Sequence, residues 1–128
     1  MATIPSRRIT ETGLAGSLTT CNTGGDNFFN TGVEFVRIQN DHGSADYTVT
    51  FAPVVTSVRT AAHGQLTKAS TTASVNNGEC AYVGPFKQGV WNSTEHKVSM
   101  TYTNNSGGGA IGTGSHGLQV EILYLDIK

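Results

Sequence analysis

The sequence predicts an all-β domain, an antiparallel β-sandwich of jelly-roll type. Three observations carry that expectation. Apolar and polar residues alternate strictly over Tyr47-Thr48-Val49-Thr50-Phe51 and again over Val98-Ser99-Met100-Thr101-Tyr102, the period-2 pattern of a half-buried strand. Turn signals separate short apolar runs roughly every 8–14 residues, the spacing of sandwiches and barrels. The polar mass is Thr, Ser, Asn and Gly, which suit exposed sheet faces and tight turns.

The elements follow in order. Residues 33–39 (Val-Glu-Phe-Val-Arg-Ile-Gln) are β-branched and aromatic, and Asn40-Asp41-His42-Gly43 then supplies a turn. Residues 47–51 form the next strand, which Pro53 ends or marks as an edge. Residues 54–58 follow, with His63-Gly64 turning the chain. Residues 71–75 are a weaker strand. Asn76-Asn77-Gly78-Glu79 is a strong turn, since Asn-Gly readily takes the positive φ of a hairpin. Cys80-Ala81-Tyr82-Val83 returns as a strand into Gly84-Pro85-Phe86, and a turn near Gly89-Val90-Trp91-Asn92 is the one helical candidate. Residues 97–102 alternate cleanly.

Residues 118–127 close the series. Val120, Ile122 and Tyr124 lie on one face, and Leu123, Leu125 and Ile127 on the other. A strand apolar on both faces is central or lies at an oligomer contact. The expected inward set is Phe35, Ile38, Tyr47, Val49, Phe51, Val58, Val75, Tyr82, Phe86, Val98, Met100, Tyr102, Val120 and Ile122. Residues 1–30 read as an extended N-terminal arm and irregular segment. Residues 31–128 read as the sandwich domain, with a flexible Gly/Ser loop at 104–117.

Bulk composition bounds the function. A chain of 128 residues is one domain. Hydrophobic content is 37%, charged content 13% and net charge −1. Low hydrophobicity without high net charge is not the signature of disorder, and a neutral surface suits contact with another protein. Eight basic residues face nine acidic ones, and Arg7-Arg8 is the sole basic cluster. A phosphate-binding face needs far more, so nucleic acid is not an expected partner. No apolar run approaches the ~18–20 residues of a membrane span. No apolar segment follows Arg7-Arg8 as in a signal peptide, and the chain reads as a complete product made in the cytoplasm.

Groupings that could do chemistry are sparse, and the chain is expected not to be an enzyme and to need no cofactor. His42, His63, His96 and His116 form no ligand-spaced pair, and three lie beside turn or loop residues. Asp41 and Asp46 flank a turn too poor in oxygen ligands for calcium. The glycines at 107–117 lack the Lys and the following helix of a phosphate loop. Cys21 and Cys80 have no metal spacing. They read as free thiols or as a pair that closes late, outside a reducing compartment. Asn92-Ser93-Thr94 and Asn104-Asn105-Ser106 match the glycosylation pattern without a secretory signal. Trp91, the single tryptophan, is either packing or an anchor at an interface or sugar platform.

One arrangement narrows the choice. A Phe-rich strand ending in Asn (Phe35-Val36-Arg37-Ile38-Gln39-Asn40) is followed by the Thr/Val strand and a Val-x-x-Gly-Glu turn (Val75-Asn76-Asn77-Gly78-Glu79). Then come an aromatic strand closing in Gly-Pro-Phe (Gly84-Pro85-Phe86) and a Val-Trp-Asn (Val90-Trp91-Asn92). Over roughly residues 30–128 this resembles the small β-sandwich virion proteins of tailed bacteriophages, of the capsid decoration or cement type. The long Gly/Ser loop departs from the pattern. The resemblance implies a homotrimer, made in the host cytoplasm, that sits on the capsid surface of the virion and bridges major capsid protein subunits. Ile4, Arg7, Arg8, Ile9 and Trp91 are then expected contacts to the capsid, and Leu123, Leu125 and Ile127 contacts within the trimer. Residues 1–12 would be an anchoring arm, dispensable to the fold. The rival reading is a carbohydrate- or receptor-binding module of a head fibre or tail. A third is an enzyme with an unrecognised carboxylate pair.

Overall fold

The computed structural model describes residues 2–42, 45–54, 57–60, 64–67, 69–105 and 117–125, with the backbone alone at 57–60 and 64–67. The structure is mostly β, and two sheets pack against each other as a β-sandwich.

The strands are β1 (Ala2–Thr3), β2 (Ser6–Ile9), β3 (Thr19–Thr20), β4 (Asp26–Phe29), β5 (Phe35–Asn40), β6 (Tyr47–Ala52), β7 (Ser57–Thr60), β8 (Gly64–Thr67), β9 (Thr71–Val75), β10 (Cys80–Val83), β11 (Lys97–Asn104) and β12 (Leu118–Leu125). A single helical turn, α1 (Gln88–Trp91), sits where the sequence places a turn. One sheet, A, runs β1-β4-β11-β6-β9. The other, B, runs β10-β5-β12-β2, with β3 also on β12. Four antiparallel pairs nest inside one another: β4 with β11, β5 with β10, β6 with β9, and β7 with β8. That is one long hairpin rolled over itself, the wrapping of a jelly roll.

Alternation builds the core. Val36, Ile38, Leu118, Val120 and Ile122 face inward from sheet B, and Phe28, Tyr47, Val49, Phe51, Val98 and Met100 from sheet A, all fully buried. At one end of the sandwich Phe86 meets Phe28, Phe51 and Trp91, with ring centroids 5.8, 4.9 and 5.5 Å away. The preceding Gly84 has φ +128°, and a Cβ there would lie 3.0 Å from the Phe35 backbone, so glycine is required. Asn40, fully buried, ties two turns: its side-chain amide donates to the carbonyls of Ala45 and Val75, and its Oδ1 accepts the His42 N–H.

Three expectations change. Phe35 and Tyr82 are not inward. β5 buries Val36, Ile38 and Asn40, and Phe35 lies an odd number of residues from Ile38, so the pleat sends it to the opposite face. Tyr82 pairs with Arg37 on that same outer face and is 65% exposed. The sheets are mixed rather than wholly antiparallel, because β1 runs parallel to β4 and β2 parallel to β12. The first 30 residues are not a free arm. Ile4 is 3% exposed in the core and its N–H donates to the Asn27 carbonyl, while β4 carries the fully buried Phe28. These strands are two to four residues long, too short for a period-2 pattern to register in the sequence. The Val58 side chain and most of the 104–117 loop lie outside the described residues.

Candidate functional site

The polar groups inside the sandwich serve the fold. Cys21, Asp26 and Tyr102 meet where the segment after β3 packs on sheet A. The Tyr102 hydroxyl donates to Asp26 Oδ2 at 2.6 Å, and the Asn22 N–H donates to the same oxygen at 3.0 Å. Burial pushes the Cys21 thiol up to about 12. Burial first, and then the neighbouring Cys21 and Asp26, raise Tyr102 above its ordinary range. A thiol that keeps its proton at neutral pH is not a nucleophile. Asn30, also buried, donates to the Phe86 carbonyl and to Asn92 Oδ1, and Asn92 donates back to the Asn30 carbonyl. This exchange locks β4 to the segment after α1. Among the described residues no three His, Cys, Asp or Glu side chains gather as a metal site. Cys21 is free and buried, and Cys80 is free and exposed.

The outer faces of the two sheets differ sharply. On sheet A the register aligns Thr103, Thr48 and Ser74 in one row and Thr101, Thr50 and Thr72 in the next. This face is a field of hydroxyls. On sheet B, Tyr82, Arg37 and Glu121 form one row, and Phe35, Leu123 and Arg7 the next, with Leu125 beside Ile9.

Glu121 organises the face of sheet B. It is 2% exposed. Its Oε1 accepts from Arg7 Nη1 at 2.8 Å and from the Ser17 N–H at 3.0 Å, and its Oε2 accepts from Arg37 Nη1 at 3.4 Å. Arg7 also donates to the Ala15 carbonyl at 2.8 Å. These bonds strap residues 10–18 over the sheet. Gly16 lies so close that a Cβ there would come within 3.4 Å of Arg37 Nη1. Between strap and sheet is a cleft of about 290 Å³ walled by Ile9, Leu14, Phe35, Tyr82 and Leu123. A larger groove of about 680 Å³ adjoins it through Phe35 and is lined by Val33, Pro85, Tyr124 and Leu125. The Glu34 carboxylate holds one wall in shape by accepting both the N–H and the hydroxyl of Thr31. Exposed Leu14, Val33, Tyr82 and Leu125 make this the apolar side of the molecule.

The residues singled out from the sequence scatter. Arg7, Ile9, Leu123 and Leu125 converge on this face. Ile4 and Trp91, 3% and 8% exposed, are core residues and are not presented to a partner. Leu123, 7% exposed, is the floor of the cleft rather than an open contact, whereas Leu125 is 47% exposed. Arg8 is exposed, on the opposite side of β2 from Arg7. Ile127 lies outside the described residues. The sequence reading missed Phe35, Arg37, Tyr82 and Glu121 as surface partners. The signal that finds them is parity: odd positions of residues 35–39 and of residues 119–125 share one face. No protein-family model, curated protein or solved structure matches the chain. No helix among the described residues is long and apolar enough to cross a membrane.

Proposed function

We propose that this protein is a capsid decoration protein of a tailed phage, binding the outside of the shell as a homotrimer and bridging neighbouring major capsid subunits. One observation carries the reading: exposed Leu14, Tyr82 and Leu125 gather on the outer face of sheet B, while the outer face of sheet A is mostly hydroxyls, with Phe29 exposed at its β4 edge beneath Lys97. A contiguous apolar patch of this kind marks an interaction surface. The wrapping of the strands and the resemblance of residues 30–128 support the same assignment. The contact is the face of sheet B rather than the N-terminal arm, since the arm is woven into both sheets. A protein that binds only the assembled shell shifts the equilibrium toward it by mass action. The rival sugar-binding reading is weakened, because Trp91 is inside and supplies no stacking platform.

The test uses heads of the encoding phage that lack the protein. Added chain should bind saturably and raise the temperature at which the shell comes apart, and its native mass should be that of a trimer. Heads that take up none of it would end the decoration reading.

A further inference from the structure

We infer that the cleft under the strap is a recognition pocket for an acidic side chain of the protein partner, with Arg37 as the receiving group. The inference rests on the reading of sheet B as a contact face and specifies its chemistry.

Charge is unbalanced in the cleft. Two guanidinium groups, Arg7 and Arg37, converge on one carboxylate, Glu121. Glu121 is the single acidic residue lining the cleft. Arg7 is well matched: its 2.8 Å bonds go to Glu121 and to the Ala15 carbonyl. Arg37 has the longer bond to Glu121, 3.4 Å, and its Nη2 donates to the neutral amide oxygen of Gln39 at 3.0 Å. Its buried Nε finds no hydrogen-bond partner among the described residues, with the Cys80 thiol, a weak acceptor, alongside. The Arg37 side chain keeps 27% of its surface open. One positive charge therefore stands without a full counter-charge, at a place a partner can reach.

The walls strengthen what that charge can do. Leu14, Phe35, Tyr82 and Leu123 flank the guanidinium with apolar surface, and a partner that covers them lowers the dielectric around the new ion pair, which strengthens it. A planar guanidinium also matches a carboxylate better than an ammonium does. The volume, about 290 Å³, lies at the lower limit of small-molecule pockets, about 300 Å³. It suits a Glu or Asp flanked by aliphatic side chains, whose stem the apolar walls grip.

The isotope-labelled full chain is titrated with the capped tripeptides Ac-Leu-Glu-Leu-NH2 and Ac-Leu-Gln-Leu-NH2, and backbone amide shifts are followed. The acidic peptide should move Phe35, Arg37 and Tyr82 saturably, and the amide peptide should bind about tenfold more weakly, the worth of one charged hydrogen bond. Arg37→Gln should abolish the difference. Tyr82→Ser, at an exposed position that leaves the fold intact, should weaken both peptides. Equal binding of the two peptides, or no saturable shift at these residues, overturns the pocket. Undiminished binding of both variants to phage heads overturns it as well, and leaves the decoration reading standing. Acid-selective binding by a chain that ignores heads does the reverse.

Discussion

The outer faces of the two sheets obey the same rule and arrive at opposite surfaces. On sheet A the outward positions where β9, β6 and β11 run side by side carry Thr72, Ser74, Thr48, Thr50, Thr101 and Thr103, whose hydroxyls hydrate well, and at the β4 edge Lys97 lies over the exposed Phe29 ring. On sheet B the outward positions of β5, β10 and β12 carry Phe35, Tyr82, Leu123 and Leu125. A strap held by a buried carboxylate covers part of them. Alternation alone makes the core and leaves the outward residues undetermined. Where they are apolar, the exposure is one that folding does not need, and a contiguous patch of it is the ordinary mark of an interaction surface.

The largest expected effect comes from removing the N-terminal strands that edge both sheets. Deleting residues 2–9 removes β1, β2, the core residue Ile4 and the Arg7 bond to Glu121. The cost is on the order of 5 kcal/mol or more, comparable to the whole stability of many domains. A truncated chain that gave the same urea midpoint as the full chain would mean that the arm is peripheral after all.

An intermediate effect separates the interior from both faces. The Cys21 thiol and Tyr102 hydroxyl hold their protons more tightly in the folded chain than in the unfolded one. Both pKa values are raised, so the stability they contribute is whole below the unfolded Cys value of 9.0. It is lost as pH climbs toward about 12, the folded value of Cys21. Urea midpoints should therefore fall across that alkaline window. Tyr102→Phe should flatten the fall and cost about 1–3 kcal/mol at neutral pH, because Asp26 loses a donor. A parallel, equally steep fall in the variant would remove Tyr102 from the cause.

The smallest effect on stability is the sharpest contrast in function. Thr101→Lys on sheet A and Tyr82→Ser on sheet B should each change unfolding free energy by no more than about 0.5 kcal/mol, since both side chains are exposed. Head binding should survive the first and suffer from the second. Equal loss in both would erase the distinction between the faces.

Much of the fold was legible in the sequence. Strict alternation marked β6 and β11, and the turn at Asn76-Asn77-Gly78-Glu79 lies where β9 hands over to β10. The motifs behind the phage resemblance turn out to serve architecture: Asn40 ties two turns, Gly84 permits close approach to Phe35, Phe86 and Trp91 plug one end, and Asn92 pairs with Asn30. They point to the fold and not to the proposed contact face. The face itself was hidden for two reasons. Phe35 and Tyr82 look like core residues until the pleat assigns them a side, and Arg7 and Glu121, 114 positions apart, meet through pairing that no local pattern records.

The nested pairing also has a consequence for the order of assembly expected from loop-closure entropy. Closing a loop costs more entropy the longer it is, so β7 with β8 is the cheapest pair. Each pair formed shortens the loop left for the next one out. β12 stands outside this series, joining β5 on one side and β2 on the other. Until it docks, β5 presents a bare edge and Leu118, Val120 and Ile122 stay in water. A chain dominated by such distant contacts folds slowly, and its sticky stage is the one that awaits β12. Recovery from denaturant should therefore fall as protein concentration rises, and a refolding-yield series against concentration checks it.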